Sequence, residues 1–329
     1  MSISGKLNCA VIGTGNIGFH HARIYNSLPE TNLVAIVDAD KNAASKTSEA
    51  HQCPAYSSLD ELLGSQTDID LFSVATPTET HTNITHRLLE NGHHVLVEKP
   101  ITRSASEAEE LIQLADEKNL FLGIGLIERF NPVVRKTKEL IENGKIGEII
   151  TVSIRRVGGY PPKIAETGVF WDLGIHDIDL STFLMDDFPS EVHVHPLKVH
   201  NNQVEDACTV MMRFDHATAM IQNNWISPVK IRTISVTGTQ GVLEANLINQ
   251  QIRHYNHNVD ADTFFEDDNF GEFLRKYGEP SSETIKVEFE EPLKLELQHV
   301  VDVIQNKTPY LISHQHMIQL TELLERHAH

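Results

Sequence analysis

Along the first 126 positions, apolar residues fall in short, nearly continuous runs separated by helix-spaced mixed stretches. The runs 7–12, 33–38, 70–76, 94–98 and 121–126 read as strands, and 17–28, 41–51, 80–91 and 104–118 read as helices. Runs such as Leu33-Val-Ala-Ile-Val37 are apolar on both faces, which suits parallel strands covered by helices on either side. After residue 130 the pattern changes. Asn131-Pro132 opens a helix that runs to Gly144, and segments 148–157, 191–199, 207–214, 217–225 and 231–237 alternate with period two. Asp215-His216 and Gly238-Thr-Gln-Gly241 read as hairpin turns. One helix, 172–185, interrupts the strands, and another starts at Leu293 and packs back on the body. The expected fold is α/β: a doubly wound parallel sheet over residues 1–126, then an α+β domain with an open, mostly antiparallel sheet over 127–329. Residues 258–284, acidic and rich in Gly, Ser and Asn, read as an irregular excursion.

Composition narrows the class. A chain of 329 residues can bury two cores. The net charge of −19 argues against non-specific binding to nucleic acid or an anionic membrane, and it requires local basic residues for any anionic substrate. No segment reaches 18 consecutive apolar residues, and the N-terminus lacks the apolar core of a signal peptide. The cysteines Cys9, Cys53 and Cys208 are scattered and odd in number, so a reducing, cytoplasmic setting is expected. The absence of an HExxH motif points away from a catalytic metal.

The first motif with chemistry is Gly13-Thr-Gly15-Asn16-Ile17-Gly18, placed between the first strand and the first helix. Gly13 allows the tight turn, Gly15 lets backbone approach a pyrophosphate on the helix N-terminus, and Gly18 allows close helix–strand packing. Asp38 ends the next strand, where a carboxylate accepts from ribose hydroxyls and repels a 2′-phosphate. No arginine follows it, so NAD is favoured over NADP. Ala75-Thr76-Pro77-Thr78 ends a later strand, with His81 at the following helix start. Glu98-Lys99-Pro100 ends another, and a lysine there can donate to a substrate oxygen as negative charge develops. In Trp171-Asp172-Leu-Gly-Ile-His176-Asp177, a helix would put Asp172 and His176 on one face, as a general base and its orienting carboxylate require. Each motif alone has an ordinary alternative: a structural glycine turn, a surface histidine, a solvated strand-end lysine, an amphipathic-helix pair. Their order in one chain carries the argument.

That ordered set, from the glycine turn through Asp38, Ala75–His81 and His94–Pro100 to Asp172–Leu180, resembles the glucose–fructose oxidoreductase / inositol dehydrogenase / MocA family. The resemblance implies a Rossmann domain binding NAD through Gly13, Gly15, Asn16, Ile17, Gly18, Asp38, Thr76, Pro77, Thr78, His81, Glu98 and Lys99. It implies a catalytic group of Lys99, Asp172 and His176. It also implies a substrate-binding second domain whose open sheet joins copies, so a homodimer or homotetramer is expected. Ile127–Pro132 and Arg155–Lys163 look like the branch that oxidises the 3-hydroxyl of UDP-N-acetylglucosamine. That branch supplies an aminotransferase in 3-amino-sugar synthesis for lipid A or surface glycans. Arg129, Asn131, Arg156, Tyr160 and Lys163 are then expected to bind substrate, with arginine forks on the diphosphate. Arg155 and Arg156 lie on opposite faces of a strand, so only one can do so. A free polyol or inositol dehydrogenase, an enzyme that recycles bound cofactor, and a non-catalytic dinucleotide-binding regulator stay open.

Overall fold

The computed structural model describes residues 5–65, 68–160, 167–200, 203–256 and 281–327. They form two compact units: residues 1–127 with 291–329, and residues 128–290.

In the first unit, β1 (Leu7–Ile12), β2 (Thr31–Val37), β3 (Ala55–Tyr56), β4 (Leu71–Val74), β5 (His94–Glu98) and β6 (Leu122–Gly125) form one sheet in the order β3-β2-β1-β4-β5-β6. Every pair is parallel. The connecting helices are α1 (Asn16–Ser27), α2 (Lys41–His51), α3 (Leu59–Gly64), α4 (His81–Glu90) and α5 (Ala105–Lys118). This is the expected doubly wound Rossmann sheet, with β3 and α3 added. Local chemistry sets the helix ends. The Asp40 carboxylate accepts from the backbone N–H groups of Asn42 and Ala43 to start α2, and Gln52 stops it in the left-handed region.

Strand order reverses between β1 and β4, and the register pairs Ile12 with Val37 and with Val74, and Val74 with Val97. Gly13, Asp38, Ala75 and Glu98 therefore lie along one carboxyl edge, the side on which open α/β sheets bind ligands.

The second unit opens with α6 (Pro132–Glu142), which Asn131 caps by accepting from the Val133 N–H. Its remaining elements are β7 (Ile149–Val157), α7 (Ile175–Met185), β8 (Glu191–Leu197), β9 (Ala207–Arg213), β10 (Thr218–Asn224), β11 (Ile231–Gly238), β12 (Gly241–Asn246), β13 (Gln251–Asn256) and β14 (Ser282–Ile285). The sheet order is β14-β13-β12-β11-β7-β10-β9-β8, antiparallel except where β7 meets β10. Period-two alternation buries Val152, Ile154, Val210, Ile221, Ile234 and Val236 on the inner face, under α6 and α7.

The sequence reading put everything after residue 126 in one domain. Instead, α8 (Pro292–Ile304) and α9 (His314–His327) belong to the first unit. The cause is packing: Leu293, Leu297, Val300, Val301 and Ile304 join one buried cluster with β1 and α1 residues such as Leu7, Val11, Ile24 and Tyr25. Of the expected excursion 258–284, residues through 280 lie outside the described residues, and 282–284 belong to β14. Among the described residues no helix is long and apolar enough to cross a membrane. All three cysteines are free and buried.

Candidate active site

Each unit carries its own part of the expected site. On the first, the glycine turn has the backbone geometry that a dinucleotide site requires. Gly13 has φ +85°, and a Cβ there would lie 2.5 Å from the Ala75 carbonyl oxygen. A Cβ on Gly18 would lie 1.9 Å from the Gly13 oxygen, whereas one on Gly15 would meet nothing within 4 Å. The first and third glycines thus close the fold, and the second faces open space. Gly15 and Asn16 are exposed, Ile17 is half-buried, and the first turn of α1 has neither a side-chain cap nor an acidic residue. Its N–H groups are left for an anion. Asp38 is held in place beside them: one carboxylate oxygen accepts from the Thr14 N–H (2.7 Å) and hydroxyl (2.8 Å), the other from the Asp40 N–H (2.9 Å). These residues fit NAD.

Further along the edge, Thr76 and Thr78 are half-buried and Pro77 is exposed. The Thr80 hydroxyl donates to the Thr76 hydroxyl, which fixes that loop. Two expected cofactor residues have a different role. His81 is 1 % exposed, with one ring nitrogen 2.8 Å from the Pro100 carbonyl and the other 2.9 Å from the Thr76 carbonyl. It ties the Thr76 loop to the Lys99 loop and leaves no ring nitrogen for a ligand. Glu98 also turns inward: His21 Nε2 lies 3.0 Å from one carboxylate oxygen, and a Cβ on Gly125 would sit 3.0 Å from the same atom. Burial opposes its charge, but the hydrogen bond and charge of His21, with Lys99 nearby, keep the carboxyl below its ordinary value. Glu98 also accepts from the Lys99 backbone N–H, and so anchors the strand end from which Lys99, half-buried, projects.

On the second unit, Asp172 and His176 do not share a regular α-helix. Phe170–Gly174 forms a π-turn, closed by the Ile175 N–H on the Phe170 carbonyl, before α7 begins. A wide turn of this kind breaks the simple i, i+4 register and often marks a functional site. Glu205 anchors its start by accepting from the Val169 and Phe170 N–H groups through its backbone and side chain. A Cβ on Gly174 would come within 3.5 Å of Asn223 Oδ1, so the turn lies close on β10. Asp172 is half-buried and His176 is buried.

The two arginines expected to grip a diphosphate, Arg129 and Arg156, are instead paired with internal carboxylates. Arg129 is 4 % exposed, makes three hydrogen bonds of 2.7–3.0 Å to Asp179, and stacks on Phe183. Arg156 is 2 % exposed; it donates from Nε to Asp177 (2.7 Å) and from Nη1 to Glu128 (2.5 Å). Burial disfavours the Arg156 charge, but Asp177 and Glu128 more than offset this, and Arg156 in turn holds Glu128 below the usual carboxylate range against burial. Asn131 is buried and donates to the Leu247 carbonyl. Tyr160 keeps an exposed ring but donates its hydroxyl to Asp206, and burial together with that carboxylate pushes the phenol up to about 12. Lys163 lies outside the described residues. Arg155 is exposed on the face opposite Arg156. These arginines serve internal pairing because each faces a carboxylate brought to it by the fold, which charge counting along a chain cannot reveal. Sequence reasoning also passed over Arg232 on β11; its place in alternation with Ile234 and Val236 was the available signal.

Comparison with known proteins gives the family. Residues 7–126 match the GFO_IDH_MocA oxidoreductase family, NAD-binding Rossmann fold, and residues 134–244 match the GFO/IDH/MocA C-terminal domain. A UDP-N-acetylglucosamine 3-dehydrogenase of Acidithiobacillus ferrooxidans is 29 % identical over 212 residues, a match spanning just 64 % of each chain. The scyllo-inositol 2-dehydrogenase (NAD(+)) of Bacillus subtilis is 28 % identical over 92 % of this chain and 88 % of its own. The solved structure of the Acidithiobacillus enzyme superposes with a TM-score of 0.83, at 22 % identity over 98 % of this chain and 97 % of that one. Levoglucosan dehydrogenase in complex with NADH and levoglucosan also gives 0.83, at 19 % identity, covering 98 % and 96 %. The chain belongs to the GFO/IDH/MocA family of NAD-dependent oxidoreductases.

Proposed function

We propose that this enzyme oxidises the 3-hydroxyl of UDP-N-acetylglucosamine to a ketone, upstream of an aminotransferase in 3-amino-sugar synthesis, as a cytoplasmic homodimer or homotetramer. The observation that carries the reaction class is the carboxyl edge of the first sheet, where an open glycine turn, an anchored Asp38 and Lys99 follow the ends of β1, β2 and β5. The choice of sugar draws on the similarity to the Acidithiobacillus enzyme, whose name states that substrate.

The roles follow from side-chain chemistry. The N–H groups at Gly15 and Asn16 bind the pyrophosphate, and Asp38 accepts from the adenosine ribose. Bound NAD supplies the hydride acceptor. His176 takes the proton of the sugar hydroxyl, and Asp172 orients the imidazole. Lys99 donates to the same oxygen as alkoxide character develops. Glu98 and His81 hold the Lys99 loop and touch neither ligand.

A second reading, oxidation of a neutral inositol, has its own support. Arg129 and Arg156 are taken up by internal carboxylates, and the inositol dehydrogenase match spans nearly the whole chain. The deciding experiment incubates the purified protein with NAD and either UDP-N-acetylglucosamine or scyllo-inositol, with a carbonyl trap to draw the equilibrium forward, and follows NADH. Turnover confined to the UDP-sugar upholds the proposal. Turnover confined to inositol replaces it, and NAD binding with no turnover of either points to the regulator.

A further inference from the structure

The inner face of the second sheet carries three polar side chains in one cross-strand row: Asn223 on β10, Arg156 on β7 and Arg232 on β11. Two of them are tied to carboxylates, although Arg156 Nη2 and Asn223 Oδ1 have no hydrogen-bond partner among the described residues. Asp177 accepts from both Asn223 and Arg156, and Glu128 takes another Arg156 donor. Arg232 is different. It is half-buried, and its guanidinium makes no hydrogen bond or ion pair with any described residue. Of the carboxylates that act on it, Glu128 and Asp177 are committed to its neighbour. Burial, and then the Arg156 charge, hold it below its ordinary value, while Glu128, Asp177 and Asp172 pull the other way. A partly desolvated guanidinium without a partner is unfavourable until an oxyanion fills its fork. Asp172, on the turn that bears the proposed base, is among the charges that act on Arg232.

We infer that Arg232 is the substrate-reading residue, whose open fork takes a phosphate or carboxylate of the sugar near the hydroxyl handled by Asp172 and His176. This rests on the dehydrogenase reading above. It explains how a chain of net charge −19, with Arg129 and Arg156 internally paired, can still select an anionic sugar.

The test compares wild type, Arg232→Gln and Arg232→Lys with three probes: UDP-N-acetylglucosamine for phosphate, glucuronate for carboxylate, and myo-inositol as the neutral control. Circular dichroism and NAD affinity serve as fold controls. For the anionic probe that is oxidised, KM should rise roughly ten- to hundredfold in Arg232→Gln, as for loss of a charged hydrogen bond, with kcat little changed. Arg232→Lys should recover part of this, more for phosphate than for a carboxylate that needs the fork. An unchanged KM, or an equal rise with myo-inositol, overturns the inference. If the wild type oxidises none of the three, the dehydrogenase reading fails by itself. Quenching of Trp171 and Trp225 fluorescence by UDP or glucuronate, in the presence of NADH, then decides the role of Arg232. Binding that weakens in Arg232→Gln upholds it, and binding that is absent or unaltered refutes it.

Discussion

Replacing Glu296 with glutamine should make the stability of the first unit less dependent on pH. Glu296 sits on α8, fully buried, and neither carboxylate oxygen has a hydrogen-bond partner. Burial, and then the charge of Glu98, push its carboxyl well above the ordinary value. The folded unit therefore keeps a proton that the unfolded chain releases above about pH 4.3. For a group raised on folding, the stabilisation is complete below the unfolded pKa and is lost as pH climbs toward the folded one. Wherever the folded carboxyl stays protonated, the loss is about 1.4 kcal/mol per pH unit. Between pH 5.5 and 7.5, wild type should lose up to about 2.7 kcal/mol relative to Glu296→Gln, which has no proton to release. The amide brings its own burial cost, but that cost does not vary with pH, so the slope carries the information. Urea unfolding at several pH values, followed by far-UV circular dichroism, measures it. Trp171 and Trp225 both lie in the second unit, so their fluorescence reports that unit separately and should give the same pH profile in both proteins. Parallel profiles for wild type and variant would refute the reasoning.

Other expectations concern the site. Lys99→Ala should lower kcat at least about a hundredfold if the lysine acts on the developing alkoxide, and single-turnover kinetics near the wild-type rate would remove it from the mechanism. Asp38→Ala should weaken NAD and narrow the gap to NADP, seen by titrating both cofactors; an unaltered ratio counts against its ribose role. Gly15→Ala should fold normally and bind NAD more weakly, whereas Gly18→Ala, whose Cβ would meet the Gly13 oxygen at 1.9 Å, should lower the melting temperature. Equal melting of the two variants would contradict this division. Asp179→Asn, which leaves Arg129 buried opposite a neutral group, should destabilise the second unit by about 3–5 kcal/mol in tryptophan-detected unfolding.

Much of the first unit was legible because parallel strands buried on both faces are written as continuous apolar runs, and because the glycines lie beside the strand that needs them. The two-residue β3 was not, since two residues carry no period, and neither was the π-turn, because Trp171-Asp-Leu-Gly174 has the composition of an ordinary helix start. The basic residues were misread for another reason. A sequence displays the charge of Arg129 and Arg156 but hides Asp179 and Asp177, which lie 50 and 21 positions away and meet them only in the fold. Arg232 shows the converse: flanked by Ile231 and Thr233, it has the look of a routine strand residue until its neighbours are seen to be paired elsewhere. The return of α8 to the first unit had one faint mark, Glu296 interrupting an otherwise apolar helix face.

That return has a consequence for how the molecule is made. The first unit is split in sequence, and its core draws on Leu297, Val300 and Val301, which follow the whole of the second unit in the chain. During synthesis the ribosome finishes residues 128–290 before it delivers α8, so the second unit can fold while the first waits with β1 and α1 uncovered. The dinucleotide-binding segment, although translated first, is then the last to mature. A chain arrested before residue 291 should expose that apolar surface to chaperones while its second unit is already native.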